Sequence, residues 1–200
     1  MQNLRSALQK HIKGRLSTGG AAYVRFCYAL PFSVLLLIGL TQVGDYTLPK
    51  PNTLFFFYCL LGGISQILFT FLLIYLFSFR NFAVGTTYSK TEVIQVALLG
   101  LVLLGDTIGL IGVFGISIGV IGVMTMAVAH TKVTFKNLVT SLFERTTLLG
   151  LLCGLFLGAS VVFFRGATLS LEMGAVLERA AFALAVGLTI QTVIMGAYLR

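Results

Sequence analysis

Charge is what this sequence lacks most. Only 10% of its 200 residues are charged and only six are acidic, whereas a soluble domain carries about 25% charged residues. That deficit excludes a solvated globular surface. With 58% hydrophobic residues and a mean hydropathy of +1.00, apolar runs follow one another along the whole chain, so lipid must be the solvent for most of the surface. Cysteine is also scarce. Cys27, Cys59 and Cys153 each lie inside an apolar run, which excludes a disulfide framework or a metal-binding spacing and makes them small packing residues. Residues 1–18 carry Arg5, Lys10, Lys13 and Arg15 but no apolar centre, so no cleavable signal peptide is expected.

The net charge of +8 does not point to nucleic acid, because the basic residues form no stripe interleaved with solvated aromatics. They sit mainly between apolar runs, as anchors of helix ends. The expected partner is the lipid bilayer.

A helix needs about 20 predominantly apolar residues to cross the hydrocarbon. Six stretches qualify: 19–42, 54–79, 81–104, 107–129, 147–168 and 176–199. The connectors are short and polar, except for a longer one from His130 to Thr146. A barrel would show period-two polarity, and these runs are apolar on all sides. An all-α polytopic membrane protein is therefore expected, with about six crossings.

Glycines are placed on faces. Gly109, Gly112, Gly115, Gly119 and Gly122 recur at helical spacing along the fourth span, where missing side chains let another backbone approach. Gly115 to Gly119 also matches the G-x-S-x-G pattern of serine hydrolases. That pattern needs a strand-to-helix elbow with a histidine and an acid in reach. A mid-span position makes it a packing stripe, and no enzyme is expected.

An internal repeat is visible. Arg25-Phe26-Cys27-Tyr28-Ala29-Leu30 resembles Arg179-Ala180-Ala181-Phe182-Ala183-Leu184, and Lys13–Ser17 resembles Arg165–Ser170 at nearly the same separation. If 147–199 repeats the beginning, residues 1–13 are the tail of a first helix. Each repeat then holds five helices, and an odd number makes the second copy enter from the opposite side.

The stretch Ala97–Asp106, ending in Gly-Asp, and the glycine-bearing Gly112–Gly122 that follows resemble the EamA-like family of the drug/metabolite transporter superfamily. The resemblance implies a ten-helix bundle built from two inverted five-helix repeats. Residues 1–129 would be the first repeat with helix 1 truncated, and 147–200 the start of the second, helices 6 and 7 only. The proline this family often carries midway along helix 4 is absent near Glu92 and Val93. Orientation stays open: nine Lys or Arg flank one side and three the other, which places 10–18 and 130–146 in the cytoplasm, while the usual family topology places them outside.

Ionisable groups inside spans are expensive and are functional candidates by default. The third span carries Tyr88, Lys90, Glu92 and Gln95, with Glu92 near its midplane if 81–104 is one helix. Lys90 and Glu92, two residues apart, cannot share a helix face. Arg25 enters from the same side, so an Arg25–Glu92 pair would leave Lys90 for a solute; the opposite allocation makes Glu92 a proton or cation site. Buried ion pairs that merely lock helices are the competing reading. In the second span Gly62, Gly63, Ser65 and Gln66 form a polar notch, and Gln66 bonds either substrate or another helix.

The function expected is a secondary transporter of a small metabolite or drug, working by alternating access in a bacterial-type cell inner membrane without a cofactor or metal. Its expected partners are the bilayer, a small-molecule substrate, protons and a second copy of the chain in a homodimer. The rival reading is a non-transporting membrane subunit that assembles through glycine-lined helix faces.

Overall fold

A computed structural model describes residues 17–43, 48–79, 89–107, 109–129, 145–172 and 174–200. Among them every regular element is helical: α1 (Thr18–Val43), α2 (Thr53–Leu76), α3 (Glu92–Leu104), α4 (Leu110–Ala129), α5 (Arg145–Leu169) and α6 (Val176–Tyr198), with a 3-10 turn at Ser89–Thr91. Tyr88 and the side chain of Lys90 lie outside what is described.

Local chemistry sets the helix ends. Ser17 caps α1, its hydroxyl accepting the Gly20 N–H at 3.1 Å. Asn52 caps α2, its carbonyl oxygen accepting the Phe55 N–H at 2.7 Å. Each satisfies one amide that a helix start leaves without a partner. α3 ends at Gly105, whose φ of 67° is left-handed and suits a residue without a Cβ.

Four helices among the described residues are long and apolar enough to cross a membrane: Gly19–Gln42 within α1, all of α2, all of α5 and all of α6. The other two expected crossings correspond to α3 and α4, whose described apolar stretches, Glu92–Leu104 and Leu110–Gly119, are shorter. The third span was expected to be helical from residue 81; residues 81–88 lie outside the described residues, and from Ser89 the chain makes the 3-10 turn and then the α-helix Glu92–Leu104. The turn residues Ser89 and Thr91 carry hydroxyls that compete with the helical backbone ladder.

Large apolar side chains lie on the outside as well as in the core. Phe32, Tyr28, Phe114 and Ile111 are 68–90% exposed, while Ser33, Thr70, Thr147, Ser160 and Gln191 are buried. Water would penalise such apolar exposure, and hydrocarbon does not. Hydroxyls discharge their donors inside the helices: Ser33 on Leu30 O, Ser160 on Leu157 O, Thr189 on Ala185 O and Thr192 on Leu188 O, at 2.7–2.8 Å. The chain is thus an all-α membrane-spanning protein.

The chain forms two compact units: residues up to Ile67 together with Phe163–Arg200, and Leu68–Val162. In the first, α1 packs along α6. Its core gathers Phe55, Cys59, Ala167, Leu171 and Ala183. Phe55 stacks on Phe182 with ring centroids 5.3 Å apart, while Phe56 and Phe57 in the same run face outward. In the second unit, Phe69, Leu73 and Cys153 form the core. Cys59 and Cys153 are fully buried free thiols and serve as small packing residues.

Candidate functional site

In the first unit the start of α2 is tied to the end of α5, because the Asn52 amide donates to the Ser170 carbonyl at 2.7 Å. α6 begins six residues further along the chain, so α2 and α6 both run away from that end. Gln66 then lies about 20 Å along α2 and Gln191 about 22 Å along α6, from the 1.5 Å rise. Two glutamines reach one level, near the middle of a hydrocarbon core about 30 Å thick.

Glycines make room for what surrounds them. The Phe164 ring of α5 fits between Gly62 and Gly187: a Cβ would sit 3.2 Å from it at Gly62 and 2.5 Å at Gly187. The Gln191 side chain lies against Gly63, where a Cβ would be 3.5 Å from its Cγ. The polar notch read in the second span is therefore a seat for Phe164 and Gln191.

These residues enclose a partly open cavity of about 340 Å3. Its polar lining is Gln66, Thr168, Arg165 and Gln191, and its apolar lining comes from Phe164 and from Ala180, Ala183, Leu184 and Leu188 on α6. Gln191 is only 2% exposed and lines the cavity. Thr168 spends its hydroxyl proton on the Arg165 carbonyl at 2.8 Å. Arg165 is exposed. The cavity is an apolar slot with carboxamides at one end and a cation at the other.

A second polar cluster lies in the other unit, at the start of α3. Gln95 donates through Nε2 to Thr91 Oγ1 and to the Leu151 carbonyl of α5, both at 3.3 Å, while its buried Oε1 has no partner. Gly154 makes this approach possible: a Cβ there would lie 2.9 Å from Gln95 Oε1 and 3.1 Å from the Ser89 carbonyl. One turn on, a Cβ at Gly158 would lie 3.3 Å from the Val96 backbone nitrogen. Glu92, half-buried, opens α3. Its carboxylate therefore sits in a first turn, where the helix dipole favours negative charge.

The other sequence candidates are spread out. Arg25 is half-buried on α1, its guanidinium carbon 5.6 Å from the Phe26 ring centroid. Arg25 and Gln66 belong to the first unit, Glu92 and Gln95 to the second. Of the glycine stripe on α4, a Cβ at Gly109, Gly115 or Gly122 would meet nothing within 4 Å, and one at Gly119 would meet only Val93, at 3.9 Å. Gly112 is exposed. Ser117 in the G-x-S-x-G stretch is helical and its hydroxyl bonds the Val113 carbonyl at 2.8 Å, so no nucleophile elbow forms.

The sequence reading passed over Gln191, Thr168, Gly187 and the Gly154/Gly158 pair. Gln191 carried the same signal as Gln66, an uncharged polar residue deep in an apolar run. Gly154 and Gly158 carried the four-residue spacing of small residues that closely packed membrane helices use.

No family model, curated protein or solved structure matches this chain.

Proposed function

We propose that this chain is part of a secondary transporter that moves a small organic solute across a bacterial-type inner membrane by alternating access. The observation that carries the reading is the 340 Å3 cavity lined by Gln66, Thr168, Arg165 and Gln191 among apolar side chains. A lipid-facing scaffold gains little from polar side chains gathered at one depth beside a cavity. A route for a polar solute requires them. The resemblance to the EamA-like family supports the same reading, with residues 1–129 and 147–200 as parts of two inverted five-helix repeats. Glu92 would carry the coupling proton. Lys90 and Arg25, costly charges within the expected spans, are the further candidates for contact with the solute.

The test is solute flux in vesicles reconstituted with the protein, with and without a proton gradient. Gradient-driven flux that is reduced in Gln66→Leu and abolished in Glu92→Gln is the expected result. Wild-type flux in Lys90→Met, Glu92→Gln and Gln66→Leu together would sink the assignment of the route.

A second reading has its own observation. A Cβ at Gly109, Gly115 or Gly122 of α4 would meet nothing within 4 Å among the described residues, which leaves room there for a second copy or a partner subunit. Cross-linking at Ile111, 90% exposed on this helix, would capture that contact.

A further inference from the structure

We infer that α3 takes two registers on α5, one helical turn apart, and that the Gln95 carboxamide is the latch that holds it in each. The registers stand on contacts inside one unit, Leu68–Val162. Their use as the moving part of alternating access rests on the transport reading. Three observations carry the inference.

The first is the seam. Gly154 lies against the start of α3, where a Cβ would come 3.4 Å from the Glu92 nitrogen, and Gly158 lies against Val96, where it would come 3.3 Å from the nitrogen. Four residues along α5 thus match four along α3, so the two helices run side by side in the same direction. Gly150 continues the seam at the same spacing and is also buried. A shift of one turn toward the start of α5 sets Val96 against Gly154 and Glu92 against Gly150, so each backbone again meets a glycine. A shift the other way sets Val96 against Val162, and that buried β-branched side chain blocks it.

The second is the latch. Gln95 Nε2 donates to Thr91 Oγ1 and across to the Leu151 carbonyl of α5, at 3.3 Å in each case. Both bonds are longer than the usual N–H···O range and hold the observed register weakly.

The third is a pair of complementary orphans. Gln95 Oε1 is a buried acceptor without a partner, and Thr147 Oγ1 is a buried hydroxyl without one. Buried polar groups are seldom left so. Thr147 precedes Leu151 by one turn on the same face of α5. The shift that the glycines permit therefore carries the carboxamide from Leu151 to Thr147. There the Thr147 hydroxyl donates to Oε1, and the Thr147 carbonyl takes over from that of Leu151. Packed helices change place in discrete steps of this kind. Glu92 rides on α3, so one step moves it about 6 Å along α5. In the transport reading that step presents the coupling carboxylate first to one side and then to the other.

The test is a distance measurement by pulsed electron spin resonance on the full chain in lipid nanodiscs. Spin labels are placed at Val102→Cys on α3 and Leu148→Cys on α5, both exposed positions. Cys27→Ser removes the half-buried native thiol, while Cys59 and Cys153 stay buried. In the observed register the labelled residues lie about 24 Å apart along the helix axes, and the shift shortens this by about 6 Å.

We expect two distance populations. Thr147→Val keeps the shape without the hydroxyl and should lower the shorter population about fivefold or more. Thr147→Ser should restore it. Gly150→Ala fills the seam and should remove it, which reads the same step should Thr147→Val fail to fold. A single population in the unsubstituted seam would overturn the inference, as would two populations whose ratio ignores both Thr147→Val and Gly150→Ala. Two registers without flux in vesicles would instead remove the transport reading and leave the step standing. Flux with a single register would do the reverse.

Discussion

The Phe164 ring of α5 stands where a side chain on Gly187 of α6 would be, since a Cβ there would come within 2.5 Å of it. Gly62 of α2 faces the same ring at 3.2 Å on the same measure. One aromatic ring thus uses two glycines on two helices, and it forms a wall of the cavity.

Gly187→Ala should therefore force the ring off its seat and destabilise the protein by about 1–3 kcal/mol, the usual penalty of overpacking. Thermal unfolding in detergent reads the loss. The penalty should shrink in a Phe164→Leu background, and a full double-mutant cycle measures that coupling. An unchanged penalty would mean that the ring is not the obstacle.

Two glycine-bearing helices should respond differently to the same substitution. Gly154→Ala must push against the Ser89 carbonyl 3.1 Å away as well as Gln95 Oε1, and backbone does not swing aside. A loss of about 1–3 kcal/mol is expected, and Gln95→Ala should not rescue it. Gly115→Ala on α4, where a Cβ meets nothing within 4 Å, should change stability by no more than about 0.5 kcal/mol. Gly115→Ile should lower self-association without unfolding the chain, as measured by cross-linking, if α4 is the assembly face.

Asn52 joins two functions in one side chain, capping α2 through its carbonyl and reaching Ser170 O through its amide. Asn52→Ala loses both and should destabilise by about 1–2 kcal/mol. Asn52→Asp keeps the cap and loses only the donor to Ser170, so it should fall between wild type and alanine. Equal losses would show that the cross-connection carries all of the effect.

Thiol labelling provides a cheap check on burial. Cys59 and Cys153 are fully buried and Cys27 is half-buried. N-ethylmaleimide should label one cysteine per native chain and three after denaturation, read by intact mass. Rapid labelling of all three in the folded protein would contradict the packing of both cores.

Much of the fold was legible because a membrane span is a one-dimensional property. Every backbone group in hydrocarbon must be satisfied within its own helix, so each apolar run reports its own structure without regard to its neighbours. The runs containing α1, α2, α5 and α6 were legible in this way, with ends within a few residues of Thr18–Val43, Thr53–Leu76, Arg145–Leu169 and Val176–Tyr198. The 3-10 turn at Ser89–Thr91 was not, because Ser89, Lys90 and Thr91 look like ordinary members of a longer helical run. Gln66 was legible as part of a notch, yet its surroundings were not, since the Phe164 ring and Gln191 come from helices about 100 to 125 residues away in the chain.

What the sequence determined alone is the solvent. Its shortage of charge and its long apolar runs require lipid, whatever the helices do afterwards. What only the tertiary structure decided is which glycines matter and which polar residues meet. The stripe from Gly109 to Gly122 and the pair Gly154/Gly158 have the same helical spacing, and only the second receives another backbone. A missing side chain gains meaning from whatever approaches it, and that neighbour is not written in the local sequence.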